Sequence, residues 1–519
     1  MKRVLLVLFT LNFSIAFCQK KEIQIVSNEI IVGKNLIDNS DIKGTEYTFP
    51  NRIDEVHLDS VTGFLTAHLR DINSQGAPKP RGRILQYDFT QNKVLWSKKI
   101  AYEKDAFWHF GNFMISQNEY SSSRIDPHSG NELWTTTNSI YVVDTATNIG
   151  IGYKSENFSK YSTILVGIDM QSGNLIWAKK VDGRYRWDNL FYLNDSTIIV
   201  VASGLHSINI KNGNWWTYRT DTWDKDYSRM IATNVLGLVS GLLTGFYMVS
   251  TEADVTRGLL SNVLTDSAHL YFASKEQLAK LDQQSGDILW QYPFPKDVTS
   301  TSSIFLKDSL IFMINTGLAY HGNEIKYYGQ PFIAAFDKST GKQKYISLFK
   351  AGDNPIVDFK LTNDEAYLCF ANRIAKYSIK TGELIKEEFI TRKGHGNISY
   401  FVGERVFIRN QKGDFVNLLS SDTTKMYILT MKDIALAVDN QLNVLYTPID
   451  YEDMRICYLQ EKGYKFIETG SVYSVIVNNE GKDVAKIAAS SNAFIKNNIL
   501  YDIKGNRLIA IDLEGEIMK

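Results

Sequence analysis

The side chains that most often carry out chemistry are scattered along this chain without the spacings that catalysis needs. The eight histidines form no H-x-H or H-E-x-x-H pattern and no C-x-x-C occurs, so the sequence offers no zinc site. No serine stands in a G-x-S-x-G elbow, and the phosphate-binding pattern G-x-x-x-x-G-K-[ST] is absent. We therefore assign no catalytic residue, no metal ligand and no cofactor-binding residue.

The sequence surroundings of the histidines and cysteines indicate that these side chains pack in the fold rather than take part in chemistry. His109 stands in the run from Phe107 to Phe110, whose aromatic side chains indicate packing between neighbouring sheets. Cys369 and Cys457 each lie in an apolar, strand-like run. That setting predicts two buried thiols, with a disulfide between them as the alternative.

The composition favours a large fold that is rich in strands. The 519 residues are 44% hydrophobic and 12% aromatic, with only nine prolines, which allows a sizeable core and favours strands over helices. Lys plus Arg equals Asp plus Glu at 57 each. This balance gives no support for nucleic acid as the main partner.

The N-terminus has the pattern of an export signal. Lys2 and Arg3 precede the apolar run 4–9, and Ala16-Phe17-Cys18 forms a cleavage site. Residues 1–18 therefore predict a signal peptide and a secreted protein, periplasmic or extracellular. Lipid anchoring at Cys18 is the alternative, although lipoprotein processing favours a residue smaller than Phe17 before the cysteine.

One short pattern recurs along most of the chain. In the stretch 167–177, GIDMQSGNLIW, Asp169 can accept backbone hydrogen bonds and Gly173 can supply the positive φ of a tight turn. Apolar and polar residues alternate on both sides, which predicts a β-hairpin. Trp177 then offers a large apolar surface for packing between sheets. One hairpin cannot bury its own face, so the units must pack side by side.

The spacing of these units predicts a β-propeller. The turn positions Asn92, Gly130, Gly173 and Gly213 lie about 40 residues apart, the length of a four-stranded blade. The spacing nearly doubles before Gly286, is still wide before Gly341 and then returns to about 40 at Gly382, which implies two insertions, or one insertion and a skipped unit. We assign turn closure and blade docking to Asp88, Trp96, Asp126, Gly130, Trp134, Asp169, Gly173, Trp177, Gly213, Asp282, Gly286, Trp290, Asp337, Gly341 and Gly382.

This pattern resembles the tryptophan-docking repeat of the quinoprotein-like propellers, a family that includes pyrroloquinoline quinone dehydrogenases and an outer-membrane assembly lipoprotein. The resemblance covers roughly residues 50–519 and implies an all-β propeller of four-stranded blades, eight in number, with seven to ten open. It divides the chain into an N-terminal segment, 19–50, with an early strand at 22–33 that could complete the last sheet, and a propeller, 51–519. The dehydrogenases of the family use a calcium-bound quinone, an Asp base and typically adjacent cysteines, whereas Cys369 and Cys457 lie in different units.

One segment departs from the repeat, within an insertion at about 219–257. Met230 to Thr251 carries no charge, and Gly237, Gly241 and Gly245 would form a small-residue stripe on a helix. Its length would span a bilayer, yet repeats on both sides belong to one ring, which excludes a single crossing. The sequence leaves open a segment packed within the propeller and a surface for a membrane or a protein partner. We predict exposed loops at 219–229 and 322–329.

These observations lead to two expectations of function. The first is an exported, non-catalytic propeller that binds or scaffolds a protein partner in the cell envelope, with Met230–Thr251 as a candidate for peripheral membrane contact and with no cofactor. The second is a quinone-dependent dehydrogenase with a divergent active site, which would bind pyrroloquinoline quinone with calcium. The fold serves both classes, so the repeat does not choose between them.

Overall fold

The computed structural model describes residues 23–59, 61–154, 163–181, 189–226, 254–321, 324–349, 355–390, 395–421, 424–450, 453–470 and 473–518. Over these residues the strands form nine four-stranded antiparallel sheets and one eleven-stranded sheet. The predicted signal peptide and the stretch Met230–Thr251, with Gly237, Gly241 and Gly245, lie outside the described residues. Within the described part, no helix is long and apolar enough to cross a membrane.

The strands of the first half follow the repeat closely. Two strands precede the first sheet, β1 (Val26–Asn35) and β2 (Asp41–Thr48). Four sheets then follow in chain order, each an up-and-down meander. Their strands are β3 (Arg52–Leu58), β4 (Phe64–Ile72), β5 (Pro78–Asp88), β6 (Lys93–Ala101); β7 (Asp105–Phe110), β8 (Phe113–Asn118), β9 (Ser122–Ile125), β10 (Glu132–Thr136); β11 (Asn138–Asp144), β12 (Ile149–Lys154), β13 (Ile164–Asp169), β14 (Leu175–Lys180); and β15 (Asn189–Asn194), β16 (Thr197–Val201), β17 (Gly204–Asn209), β18 (Trp215–Arg219).

The middle of the chain contains the interruptions of the repeat. The strands here are β19 (Trp223–Asp226), β20 (Asp254–Arg257), β21 (Leu264–Thr265), β22 (His269–Ala273), β23 (Gln277–Asp282), β24 (Ile288–Pro293), β25 (Ser302–Lys307), β26 (Leu310–Asn315), β27 (Leu318–His321), β28 (Glu324–Tyr327), β29 (Phe332–Asp337) and β30 (Gln343–Leu348). Strands β21 to β24 form one meander, and β25, β26, β29 and β30 form the next. Strands β19, β20, β27 and β28 form a separate sheet, which we call the inserted sheet.

The last part of the chain returns to the repeat and then closes on the N-terminal strands. Its elements are β31 (Ile356–Leu361), β32 (Glu365–Phe370), β33 (Arg373–Ser378), β34 (Leu384–Phe389), β35 (Ile398–Phe401), β36 (Val406–Arg409), β37 (Phe415–Asn417), α1 (Leu418–Ser421), β38 (Lys425–Thr430), β39 (Ile434–Asp439), β40 (Val444–Asp450), β41 (Arg455–Glu461), β42 (Tyr464–Gly470), β43 (Tyr473–Val477), β44 (Asp483–Ile487), β45 (Phe494–Lys496), β46 (Ile499–Lys504), β47 (Arg507–Asp512) and α2 (Leu513–Glu516). Strands β31 to β34 form one sheet, and β35 with β38, β39 and β40 forms another.

The burial of each strand explains its sequence. The middle strands of a meander are covered on both faces, so they read as nearly continuous apolar runs, such as TIIVV in β16 and LIFMIN in β26. The fourth strand of a meander is more exposed and mixes apolar with polar residues, as in ILWQYP of β24. Hydrophobic clusters fill the spaces between consecutive sheets, for example between β15–β18 and β21–β24. The predicted all-β propeller of four-stranded sheets is confirmed.

The first and last parts of the chain meet in one sheet. β2 pairs with β47, with Thr45 opposite Ala510, so an N-terminal strand lies beside the last three strands of the chain. β1 pairs with β44 on one side and β2 on the other. The early strand begins at Val26, later than the stretch 22–33, and the strand beside β47 is β2, not β1. Buried side chains of β4 and β47, including Leu65 and Leu508, share one cluster across the closure.

The stretch 509–519 contains a variant of the repeat, with Asp512 and Gly515, but it does not form a hairpin. Asp512 caps the short helix α2, and its carboxylate accepts hydrogen bonds from the backbone N–H groups of Glu514 and Gly515. The spacing from Asp512 to Gly515 is one residue shorter than in the other units, which suits a helical turn rather than a hairpin turn. The place of a fourth strand beside β47 is taken by β2.

Candidate functional site

The repeat residues build a contact that joins each sheet to the next. At the turn after β13, the Asp169 carboxylate accepts hydrogen bonds from the N–H groups of Gln171 and Ser172, at 2.7 and 3.3 Å. Gly173 has a φ of 76°, and its N–H donates to the Asp169 carbonyl at 2.7 Å. Trp134 of the preceding sheet donates its Nε1–H to the Met170 carbonyl of the same turn at 3.1 Å. The turn is thus both a hairpin and a docking place for the neighbouring indole.

The same contact recurs along the chain. Each indole donates to a backbone carbonyl in the turn of the following sheet: Trp96 to Pro127, Trp177 to Ile210, Trp216 to Gln283 and Trp290 to Lys338. Tyr345 donates in the same way to Ile379. The turn glycines Gly130, Gly213, Gly286, Gly341 and Gly382 all have positive φ, as does Asn92. The carboxylates of Asp88, Asp126, Asp282 and Asp337 each accept N–H groups of their own turn.

The widest gap in the repeat is an insertion and not a skipped unit. Trp216, at the end of the fourth meander, contacts the turn of the next meander directly, with its ring against Gly286. No sheet therefore stands between β18 and β21 to β24. The extra residues before the fifth meander supply β19 and β20, and those between β26 and β29 of the sixth meander supply β27 and β28.

Both interruptions of the repeat come together in the inserted sheet. β20 pairs with β27, with Arg257 opposite Tyr320, so the strand order is β19, β20, β27, β28. The sequence predicted exposed loops at 219–229 and 322–329, and that prediction is wrong in part, because β19 and β28 lie within those stretches. Four-residue strands with mixed charge have too little periodicity to be recognised, and their pairing partner lies in the other insertion.

A polar cluster fastens the inserted sheet to the propeller. Lys275, in the turn between β22 and β23, has a side chain that is only 14% exposed, and its Nζ lies 3.0 Å from a carboxylate oxygen of Asp224 on β19. The same ammonium lies 3.5 Å from Asp297. Tyr328, just after β28, donates its hydroxyl to Asp224 at 2.7 Å, and burial together with this hydrogen bond raises the pKa of the phenol. We call Asp224, Lys275, Asp297 and Tyr328 the anchoring cluster.

Sequence reasoning did not find the anchoring cluster. Its members come from four separated parts of the chain, and none of them stands in a recognisable motif. The only signal was indirect: all four lie in or beside the intervals where the repeat spacing widens.

One face of the inserted sheet presents apolar side chains to solvent. Tyr320 pairs with Ile325, and Tyr327 lies two residues further along β28, so all three side chains share a face. They are 43%, 64% and 76% exposed. The opposite face is covered, since Ala319 is fully buried. β28 is also an edge strand, with one row of backbone groups unpaired within the sheet.

The strands that flank the uncharged stretch Met230–Thr251 belong to this sheet. Asp226 is the last residue of β19, Asp254 is the first of β20, and the two are paired directly. The chain therefore leaves and re-enters the described structure at one end of one antiparallel pair.

Three histidines meet at the contact between the first two meanders. The His57 and His109 rings stack with their centroids 4.1 Å apart, and His68 lies 5.9 Å from His109. Burial lowers the pKa of His109 to about 2, and the neighbouring His57 and His68 contribute to this shift. Burial also lowers the pKa of His68 to about 4. His109 contacts the Thr66 hydroxyl at 3.1 Å. The cluster is therefore a neutral packing contact between sheets.

The side chains that most often bind metal ions are dispersed among the described residues. Among them, no three His, Cys, Asp or Glu side chains lie in position to share a metal ion. Cys369 on β32 and Cys457 on β41 are buried, unpaired thiols in different sheets. Burial raises the pKa of both thiols, with Cys369 the more strongly affected.

The fold and the docking turns define the class of the protein as a multi-bladed β-propeller with docked blades. Residues 223–437 match the family model described as outer membrane protein assembly factor BamB, so this part of the chain is similar to that family. The predicted resemblance to the quinoprotein-like propellers is thereby confirmed. No curated protein sequence matches the chain.

Several solved structures align with the chain at low identity. BamB from Moraxella catarrhalis is 12% identical, with 81% of this chain and 95% of that chain covered and a TM-score of 0.31. Dihydro-heme d1 dehydrogenase NirN is 10% identical, with 82% and 78% covered and a TM-score of 0.31. A europium-containing methanol dehydrogenase is 11% identical, with 73% and 84% covered and a TM-score of 0.29. At these values the alignments carry no argument about function.

Proposed function

We propose that the protein is an exported, non-catalytic propeller of the cell envelope that binds a protein partner through the inserted sheet. The observation that carries this proposal is the convergence of two separate insertions on one anchored sheet. Two unrelated loop extensions have no reason to pair with each other, whereas these two insertions form one set of paired strands. Loops and additions on a rigid propeller are common places for binding.

The form of the inserted sheet supports partner binding by strand addition. β28 is a short edge strand, and an extended segment of another protein can pair with such an edge through main-chain hydrogen bonds. Tyr320, Ile325 and Tyr327 would then contact alternate side chains of the added segment. Tyrosine suits this role because it offers a large contact area with one polar group.

The anchoring cluster supports the same proposal. A binding surface must hold its shape. Lys275 pairs with the carboxylates of Asp224 and Asp297, and both carboxylates also accept a hydrogen bond from the half-buried Tyr328. The partner-binding strands are thereby fixed relative to the propeller, which lowers the entropy lost when a partner is ordered on them.

The experiment compares capture of envelope proteins by the protein and two charge variants. Ile325→Glu places a carboxylate on the exposed face of the inserted sheet, and we expect it to abolish capture of the specific partner. Val61→Glu is the control, because Val61 is 79% exposed in a turn of the first meander. Equal capture by both variants would contradict the proposal.

A second measurement separates binding from catalysis. Pyrroloquinoline quinone with calcium is added to the full chain, and thermal stability and dye reduction are followed. We expect neither a rise in melting temperature nor dye reduction. A rise in both would support the dehydrogenase instead.

A further inference from the structure

A cavity of about 830 Å³ lies between two consecutive meanders, β15 to β18 and β21 to β24. Its size is within the range of about 300–1,000 Å³ that is common for small-molecule sites. The cavity includes Thr197 and Asn209, a pair at one end of β16 and β17. The inserted sheet joins at the opposite end of these strands, near Ser203, which accepts a hydrogen bond from Trp223. The two surfaces are therefore separate.

The walls of the cavity are mainly hydroxyl and amide side chains. Ser207, Asn214, Ser267, Gln283 and Gln284 line it, and within the described structure their side chains have no protein hydrogen-bond partner. Each hydroxyl and each amide can both donate and accept a hydrogen bond. The cavity therefore offers a set of unused, neutral hydrogen-bonding groups.

Ser207 is the most informative of these residues. It is the least exposed of them, at 5%, and it lines the cavity. Ser207 lies opposite Trp216 in the pairing of β17 with β18, so both side chains lie on the face that meets the next meander. The Nε1–H of Trp216 donates a hydrogen bond to the Gln283 carbonyl. The same indole also lines the cavity.

The charge of the cavity narrows the class of ligand. Asp282 is the one charged residue among those that line the cavity. Hydrogen bonds from the backbone of its own turn, above all from Ser285, lower the pKa of its carboxyl. No lysine or arginine is available there to bind an anion. A single carboxylate already occupied by backbone N–H groups is also a poor site for a cation. A neutral ligand with many hydroxyl groups fits these walls best.

We propose that this cavity binds a neutral oligosaccharide of two or three sugar units. The hydroxyls of the sugar would exchange hydrogen bonds with Ser207, Gln283 and Gln284, because each partner can act as donor or acceptor. The apolar C–H groups of a sugar would contact the part of the Trp216 indole that lines the cavity, since Gly286 already lies against another part of the ring. Binding here does not depend on the inserted sheet or on the proposed protein partner.

The test is calorimetric titration of the full chain with maltotriose, cellotriose and chitotriose, with trialanine as a neutral peptide of comparable size. Gln284→Ala removes one lining amide without changing the backbone of the turn. Gln441→Ala is the matched control, because Gln441 follows Asp439 at the same turn position of another sheet and does not line the cavity. Ser207→Val tests the buried hydroxyl, and thermal melting shows whether each variant remains folded.

We expect at least one trisaccharide to bind, and about tenfold weaker binding in Gln284→Ala, the loss that corresponds to one hydrogen bond. Gln441→Ala should bind like the unaltered protein. Ser207→Val should weaken binding as well, if its melting temperature is unchanged. The proposal is overturned if no trisaccharide binds, if Gln441→Ala and Gln284→Ala are equally affected, or if trialanine binds in preference.

Discussion

At the scale of single residues, the docking turn places two demands on one position. Gly173 has a φ of 76°, which side chains with a Cβ rarely adopt, and an added Cβ would lie 2.7 Å from a ring carbon of Trp134. The first demand comes from the hairpin and the second from the neighbouring sheet. The turn residues could be predicted from the sequence, because a hairpin is formed by residues that are close together in the chain. The contact with Trp134 could not be predicted, because it joins two different sheets.

Gly173→Ala should destabilise the protein more than a positive φ alone explains. Gly505→Ala is the matched control, because Gly505 has a φ of 65° and no heavy atom within 4 Å of an added Cβ. We expect about 1 kcal/mol for the control and about 2–4 kcal/mol for Gly173→Ala, where overpacking adds to the strain. Chemical unfolding of both variants measures the difference. Equal losses would show that the indole moves aside without cost.

The docking hydrogen bond makes a second prediction at this scale. Trp177 is 6% exposed and donates to the Ile210 carbonyl at 2.6 Å. Trp177→Phe keeps most of the apolar surface but leaves that carbonyl without its donor, and we expect a loss of about 1–3 kcal/mol. Trp108→Phe is the control, since Trp108 is exposed on β7. A Trp177→Phe protein as stable as the control would contradict the account of docking.

The buried histidines predict how stability changes with pH. A histidine whose pKa is lowered on folding binds fewer protons in the folded than in the unfolded state between the two pKa values. His68 and His109 have pKa values of about 4 and about 2 in the fold, whereas an unperturbed histidine has a pKa of about 6.5. Their contribution is thus complete above about pH 6.5 and is lost as the pH falls below it.

The measurement is the melting temperature at pH 7 and pH 5 for the protein and two variants. His109→Gln should reduce the loss of stability on acidification, because glutamine does not titrate. His128→Gln should leave the loss unchanged, since the His128 side chain is 67% exposed. The account of the cluster fails if the two variants show the same pH dependence.

At the scale of elements, the inserted sheet shows where the sequence stops being informative. The meanders were predictable because strand alternation, turn chemistry and a period of about 40 residues agree. The inserted sheet has four strands of four residues each, drawn from two insertions. Its pairing is non-local, so the sequence indicated where the repeat was broken but not that the two breaks meet. The cavity between the fourth and fifth meanders was missed for the same reason.

The anchoring cluster should control how firmly the inserted sheet is held. Lys275→Met removes the ammonium between Asp224 and Asp297, and we expect faster hydrogen exchange in β19 and β20 with little change elsewhere. Lys380→Met is the control, because Lys380 pairs with Asp364 on the surface, where such a pair contributes little. Unchanged exchange in β19 and β20 would show that the sheet is held by other contacts.

At the scale of the whole molecule, the chain combines a regular propeller with the inserted sheet, which interrupts the repeat. Its docked turns join consecutive sheets, and β2 brings the N-terminal part of the chain beside the C-terminal strands. The repeat contacts explain stability and leave no role for the repeat residues in chemistry. The repeat contacts do not explain the apolar face of the inserted sheet or the open edge of β28, which is why we place partner binding there.

The most direct test of this account is site-specific photo-crosslinking in intact cells. A photoreactive amino acid is placed at Tyr327 on the inserted sheet and, in a separate variant, at Val61 in the first meander, both strongly exposed. We predict a discrete covalent adduct with an envelope protein from position 327 and none from position 61. No adduct at position 327, or the same adducts from both positions, would contradict the proposal that the inserted sheet binds the partner.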